Sequence, residues 1–188
     1  MSFYENEKNV DKYISMCGGY DGSNLHEFLS EHLKPTSWLL ELGCGAGSDI
    51  DALKERYKVT GSDFSLEFLK RCSYRHPDIE FLQLNACDLQ LERQFDCLFS
   101  NKVLHHLSNL DLKESLKNQL SLLNSNGLIA HSFWLGEGSE EMEGLTFNYY
   151  LKESLLAMIS EFYTIVGTLD YFEFEKGDSI FIVAEKPA

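Results

Sequence analysis

The 188-residue chain is defined first by what it lacks. No apolar run approaches the ~20 residues that a membrane-spanning helix needs. The stretch Met1 to Asp11 is polar and charged, so no signal peptide is expected there. Cysteines 17, 44, 72, 87 and 97 are odd in number and form no C-x-x-C pair. That pattern excludes a disulfide framework and a zinc site, and it points to reduced thiols in a cytoplasmic protein. Basic clusters are also missing. Sixteen Lys and Arg stand against 30 Asp and Glu, for a net charge of −14. A chain that grips phosphate backbones presents a basic patch, so nucleic acid is disfavoured as a partner. There is no internal repeat and no low-complexity tract, and the length suits one domain with a substantial core.

The most informative stretch is Trp38 to Asp49, W-L-L-E-L-G-C-G-A-G-S-D. Its apolar opening is too short for a helix and suits a buried strand. Gly43, Gly45 and Gly47 then follow at alternate positions, as a sharp strand-to-helix turn requires where positive φ and close ligand approach are needed. The helix beyond presents free N–H groups and a positive dipole end to whatever occupies the turn, usually a nucleotide-like ligand. The dinucleotide fingerprint G-x-G-x-x-G would place its third glycine at Ser48, so that fingerprint is not met.

Further along, Lys58 to Ser62 reads as a second strand ending at Asp63, twenty residues beyond Gly43. An acidic residue at that distance is placed to accept hydrogen bonds from ribose hydroxyls. Ile79 to Leu84 reads as a third strand, followed by Asn85-Ala86-Cys87-Asp88-Leu89. Gln94 to Phe99 reads as a fourth, followed by Ser100-Asn101-Lys102-Val103-Leu104-His105-His106-Leu107. Helices are expected over Asn24 to Leu33, with Ser23 or Asn24 as N-cap and Glu27 completing a capping box, and over 48–57, 65–74, 111–123 and 151–161. Residues 136–144, with Glu137, Glu140, Glu141 and Glu143, read as an acidic loop at the ligand-binding edge of the sheet. Residues 163–174 and 179–185 read as a closing antiparallel hairpin.

E-L-G-C-G-A-G, the acid at 63, N-A-C-D-L and S-N-K-V-L-H-H-L resemble, in order, the motifs of class I S-adenosylmethionine (SAM)-dependent methyltransferases. The likeness covers roughly residues 38 to 186. It implies a three-layer α/β/α sandwich: a seven-stranded, mostly parallel, Rossmann-like sheet with an antiparallel C-terminal hairpin. It implies SAM as cofactor and S-adenosylhomocysteine as product. Glu41, Gly43, Gly45, Gly47, Asp63, Phe64, Asn85, Ala86, Asp88 and Asn101 are the implied cofactor-binding residues, with Tyr20 as a lid contact from an N-terminal helical segment, 1–37. The domain proper is expected over 38–188. N-P-P-Y is absent, which sets the chain apart from methyltransferases of amide or adenine amines.

Methyl transfer asks mainly for alignment and exclusion of water, and for a base only when the acceptor must lose a proton. His105 and His106 are the candidates for such a base, and Trp134, Tyr149 and Tyr150 for the acceptor pocket. Neighbouring histidines on a helix point apart and do not readily share one ion, so no metal is expected. A small-molecule acceptor ranks first, a protein second and nucleic acid third. A SAM-binding regulatory partner without turnover and a NAD-dependent oxidoreductase are the alternatives. The acceptor, the atom methylated and the oligomeric state are not legible.

Overall fold

A computed structural model describes residues 4, 6–16, 19, 21–142 and 144–187. Tyr20, Cys17, Gly18 and Glu143, which the sequence reading singles out, lie outside them. Two helices, α1 (Glu7–Met16) and α2 (Ser23–His32), precede the first strand, β1 (Trp38–Leu42). Then come α3 (Ile50–Leu53), β2 (Lys58–Asp63), α4 (Leu66–Arg75), β3 (Glu80–Gln83) and β4 (Phe95–Asn101). After a 3-10 turn over Leu104–His106, α5 (Asn109–Leu122) leads to β5 (Leu123–Trp134). A short ribbon, β6 (Ser139–Met142) and β7 (Leu145–Asn148), precedes α6 (Lys152–Ser160), and β8 (Thr164–Tyr171) and β9 (Ser179–Glu185) close the chain.

Seven strands form one sheet in the order β3-β2-β1-β4-β5-β9-β8. The first five are parallel, and β9 runs antiparallel to both β5 and β8. The central strands are apolar on both faces because both are covered. Along β1 and β4 the side chains alternate: Leu40 and Leu98 pack with Leu112 and Leu116 of α5 and Ile159 of α6, while Leu39, Cys97 and Phe99 pack with Leu25 and Leu29 of α2. This is the three-layer arrangement expected from the motifs. It leaves the carboxyl ends of β1, β2, β3 and β4 facing the same edge.

Several local expectations are corrected. Helix α2 starts at Ser23 with Gly22 as N-cap and no side-chain cap, so the Ser23/Asn24 capping box with Glu27 does not form. Instead Asp21 Oδ1, two residues before Ser23, accepts the Ser23 N–H at 2.9 Å. The helix expected over 48–57 contracts to α3, since the Arg56 carbonyl accepts from Thr36 N–H at 2.7 Å and the chain is drawn out toward β2. The acidic segment 136–144 is not a loop: Ser139 to Met142 pairs with Leu145 to Asn148 as an antiparallel ribbon. A glutamate-rich strand has little intrinsic β-propensity, and the register comes from its better-patterned partner.

Candidate functional site

The site grows from the glycine turn after β1. Gly43, Gly45 and Gly47 all have positive φ, at +68°, +49° and +77°. A Cβ on Gly43 would fall 2.6 Å from both methyls of Val103, so the turn after β1 and the turn after β4 touch only because the side chain is absent. The Gly45 N–H donates to Asp63 Oδ2 at 2.9 Å, and Ser65 N–H donates to Asp63 Oδ1 at 2.8 Å. Asp63 is therefore fixed at the end of β2, facing the turn. Burial raises its pKa, and the backbone donors only partly offset that rise.

A cavity of about 280 Å³ opens at this edge. Gly43, Gly45, Asp63, Phe64, Asn85, Ala86 and His106 all line it. The structure thus brings together residues from four strand ends spread over 64 positions of sequence. Phe64 is half exposed there. Asn85 and Asp88 form a tight bridge after β3, with Asn85 Oδ1 accepting the Cys87 N–H at 2.9 Å. No helix follows Asp88, so it caps none, and it does not reach the cavity wall.

Three other candidates, Gly47, Asn101 and Glu41, do not line the cavity. Gly47 faces α4, where a Cβ would meet Cys72 Sγ at 3.1 Å. Asn101 Nδ2 donates to Asp49 Oδ2 at 3.0 Å while its Oδ1 accepts from Ser132 Oγ at 2.7 Å, which holds Asn101 beneath the turn. Asp49 in turn meets His26 Nε2 at 2.7 Å. Glu41 is buried in β1 and its Oε2 has no hydrogen-bond partner. Burial, and then Asp49, raise its pKa well above the usual carboxylate range.

The two histidines part company. Their rings lie 4.1 Å apart, contrary to the expectation that they diverge, because Phe147 of β7 packs against both at 5.4 and 4.8 Å. His105 is buried, does not line this cavity, and has both ring nitrogens unpartnered; burial pushes its pKa down to about 2. His106 lines the cavity and its Nδ1 lies 2.7 Å from the Thr146 carbonyl. Among the described residues no His, Cys, Asp and Glu group of metal-holding size occurs.

Sequence reasoning missed much of the wall. Tyr4, Tyr13, Phe68, Lys102, Val103 and Leu145 also line the cavity. Tyr4, Tyr13 and Phe68 form an aromatic cluster with centroids 5.3 to 5.7 Å apart, which joins α1 to α4. Lys102 adopts φ +53°, and its ammonium reaches Ser179 Oγ at 2.7 Å and the Phe133 carbonyl at 3.3 Å. It also stands 3.1 Å above the Trp134 ring, and burial pushes its pKa down to about 8. No sequence signal marks that conformation. Trp134, Tyr149 and Tyr150, expected at the acceptor pocket, do not line it. Trp134 stacks on Phe174, Tyr149 donates to Glu140 at 2.5 Å, and Tyr150 is buried against Phe133.

The residues present fit SAM. Each Asp63 oxygen accepts one backbone donor and keeps a lone pair for a ribose hydroxyl. Glu41, buried near Asp49 and Asp63 with its pKa raised, leaves its Oε2 without a protein partner.

Residues 39–127 match the family model for a methyltransferase domain. Trans-aconitate 2-methyltransferase from Escherichia coli is 31% identical over 101 residues, which are 52% of this chain and 39% of that enzyme. The chain therefore spans well under half the length of the curated relatives it matches. A SAM-dependent methyltransferase from Clostridium acetobutylicum superposes with a TM-score of 0.78 at 15% identity, covering 97% of this chain and all of that one. The 1,6-didemethyltoxoflavin-N1-methyltransferase of Burkholderia thailandensis, solved with 1,6-didemethyltoxoflavin and S-adenosylhomocysteine bound, gives 0.80 at 19% identity over 95% of this chain and 83% of its own.

Proposed function

We propose, for a chain that has the fold of the SAM-dependent methyltransferases and matches a methyltransferase-domain model over residues 39–127, that it transfers a methyl group from SAM to a small molecule. The observation that carries this is Asp63, held by Gly45 N–H across the glycine turn with spare lone pairs facing the cavity. SAM, when bound, supplies a methyl group already activated by a sulfonium centre. Around it, Gly43 and Gly45 give the backbone close approach and Asp63 accepts from the ribose. Phe64, Asn85 and Ala86 border the base, and Glu41 and Asn101 act from beneath.

The segment 1–37 is read as the lid. Tyr4 and Tyr13 reach the cavity, and α1 is tied to α4 by Arg71 Nη1 donating to Asp11 Oδ1 at 2.6 Å. The acceptor is read as a small molecule, because the cavity of about 280 Å³ is small and the relatives' names refer to small molecules. The free thiols of Cys44, Cys72, Cys87 and Cys97 support a reducing, cytoplasmic setting.

Calorimetric titration with S-adenosylhomocysteine and, separately, NADH tests the reading. S-adenosylhomocysteine should bind and NADH should not. Asp63→Ala should weaken the former by about 2–4 kcal/mol, as expected when hydrogen bonds to a buried charge are lost. Heat from NADH alone would sink it.

A further inference from the structure

We propose that the acceptor of this site is a protic group, an O–H or N–H rather than a preformed carboxylate, and that His106 Nε2 takes its proton. This rests on the methyltransferase reading above.

The first argument is the tautomer. A carbonyl oxygen only accepts, so the 2.7 Å contact to the Thr146 carbonyl requires the proton on His106 Nδ1. Nε2 is then the bare nitrogen, and it makes no hydrogen bond among the described residues on a ring that lines the cavity. The carbonyl belongs to β7, which is itself clamped onto the same turn. Asn148 Nδ2 donates to the His105 carbonyl and to the Leu107 carbonyl, both at 2.8 Å. Asn148 is thus a positioning residue: it holds the ribbon at the distance that fixes the His106 proton.

The second argument is electrostatic. The groups around His106 keep its ring neutral. His105 on its own turn is a neutral neighbour, β7 contributes the uncharged Leu145, Thr146, Phe147 and Asn148, and Tyr13 faces the cavity from α1. Burial lowers the His106 pKa and the Thr146 bond only partly opposes that. Among the described lining residues the one cationic side chain is Lys102, and its ammonium is engaged by Ser179, the Phe133 carbonyl and, at 3.5 Å, Glu173. Among the described lining residues a carboxylate acceptor would find no uncommitted cation, while Asp63, the one carboxylate among them, would repel it. A neutral acceptor meets a neutral base.

The step balances simply. The acceptor oxygen or nitrogen forms its bond to the methyl carbon as the carbon–sulfur bond breaks, with that pair staying on sulfur. The acceptor's proton passes to Nε2, giving an imidazolium whose Nδ1–H remains on the Thr146 carbonyl. Water then takes the Nε2 proton.

The test begins without cofactor. Nitrogen-15 spectra of the full chain, with His106→Gln for assignment, should show His106 protonated at Nδ1 and bare at Nε2 from about pH 8 down to its ordinary pKa of ~6.5. An Nε2–H tautomer, or an imidazolium at neutral pH, overturns the proposal. Asn148→Leu should convert this to a mixture of tautomers; an unchanged spectrum in that folded variant removes Asn148 from the argument. Phenol and trans-aconitate, each at millimolar concentration, are then titrated with and without S-adenosylhomocysteine. Phenol should move the Nε2 resonance and trans-aconitate should not bind. Aconitate binding, or an Nε2 signal indifferent to phenol, refutes the acceptor class. Failure of S-adenosylhomocysteine to bind would instead refute the methyltransferase reading and leave the tautomer result standing.

Discussion

Acidification should destabilise this protein through His131, starting at pH values where ordinary carboxylates are still ionised. His131 lies in β5 with no exposed surface, between Ser100 Oγ at Nδ1 and Gln119 Oε1 at Nε2, both at 2.8 Å. Gln119 Nε2 goes on to Ser115 Oγ at 3.2 Å. The Gln119 carbonyl accepts, so Nε2 carries the proton and Nδ1 accepts from the serine; the network is complete only while the ring is neutral. Burial pushes the pKa from 6.5 to about 3. The unfolded chain therefore binds a proton that the folded chain refuses, and stability is lost as pH falls below ~6.5. The depression corresponds to roughly 5 kcal/mol by the time pH reaches about 3, or ~1.4 kcal/mol per pH unit. His105, depressed further still, adds a second such slope. Set against a typical ~5–15 kcal/mol of native stability, two such groups remove about 4 kcal/mol by about pH 5. Glu41 and Asp63 act in the opposite direction, because their raised pKa values favour protonation in the folded state. Urea unfolding of Glu41→Gln across pH 7.5 to 4.5 removes the larger of these offsets. A flat profile, or a His131 imidazole that titrates near 6.5 in the folded protein, would refute the reasoning.

Three further substitutions probe the frame of the site. Gly43→Ala combines left-handed strain with a 2.6 Å clash on Val103 and should cost about 2–4 kcal/mol in urea unfolding. Adding Val103→Ala should recover the clash but not the strain, and simple additivity in that cycle would disprove the contact. Lys102→Met should destabilise by about 2–4 kcal/mol, since it removes the ammonium donor to Ser179 Oγ and the Phe133 carbonyl and leaves Glu173 without its cation; thermal melting within a degree of wild type would contradict this. Glu41→Gln should melt higher than wild type at pH 8 and approach it below pH ~4.5, because the amide carries no buried charge to desolvate. A variant less stable at pH 8 would mean that Glu41 is ionised and usefully paired.

The parts of the site that were legible in the sequence are those whose chemistry is local. A glycine must stand where φ is positive, and an acid at the end of the next strand faces the turn by strand alternation alone. Gly43, Gly45 and Asp63 could be read for that reason. The ends of β2 and β9 were also legible, because apolar runs on a doubly covered sheet stop where the cover stops, whereas β4 continues two residues past the expected Phe99 to Asn101. The β6–β7 ribbon was not. Its outer strand is Ser-Glu-Glu-Met, exposed throughout, and it is strand only because Leu145 to Asn148 supplies the pairing. Nor could the sequence separate His105 from His106. Both belong to one 3-10 turn and pack on Phe147, and what divides them is a carbonyl forty residues downstream that meets only His106.

Charge placement gives the cavity its selectivity in one further respect. Glu41, Asp49 and Asp63 converge beneath a turn whose backbone donors would by themselves invite an anion. Asp63 already takes the Gly45 N–H, so that donor is spent on the protein's own carboxylate. A pyrophosphate entering this turn would find that donor taken and meet the Asp63 carboxylate, whereas a ribose would meet an acceptor. Asp49 keeps its place through His26 and Asn101, and Glu41 stays buried with one oxygen unpartnered. The same glycine geometry that serves dinucleotides elsewhere is thus turned, by the acid that fills its anion site, toward a ligand without phosphate.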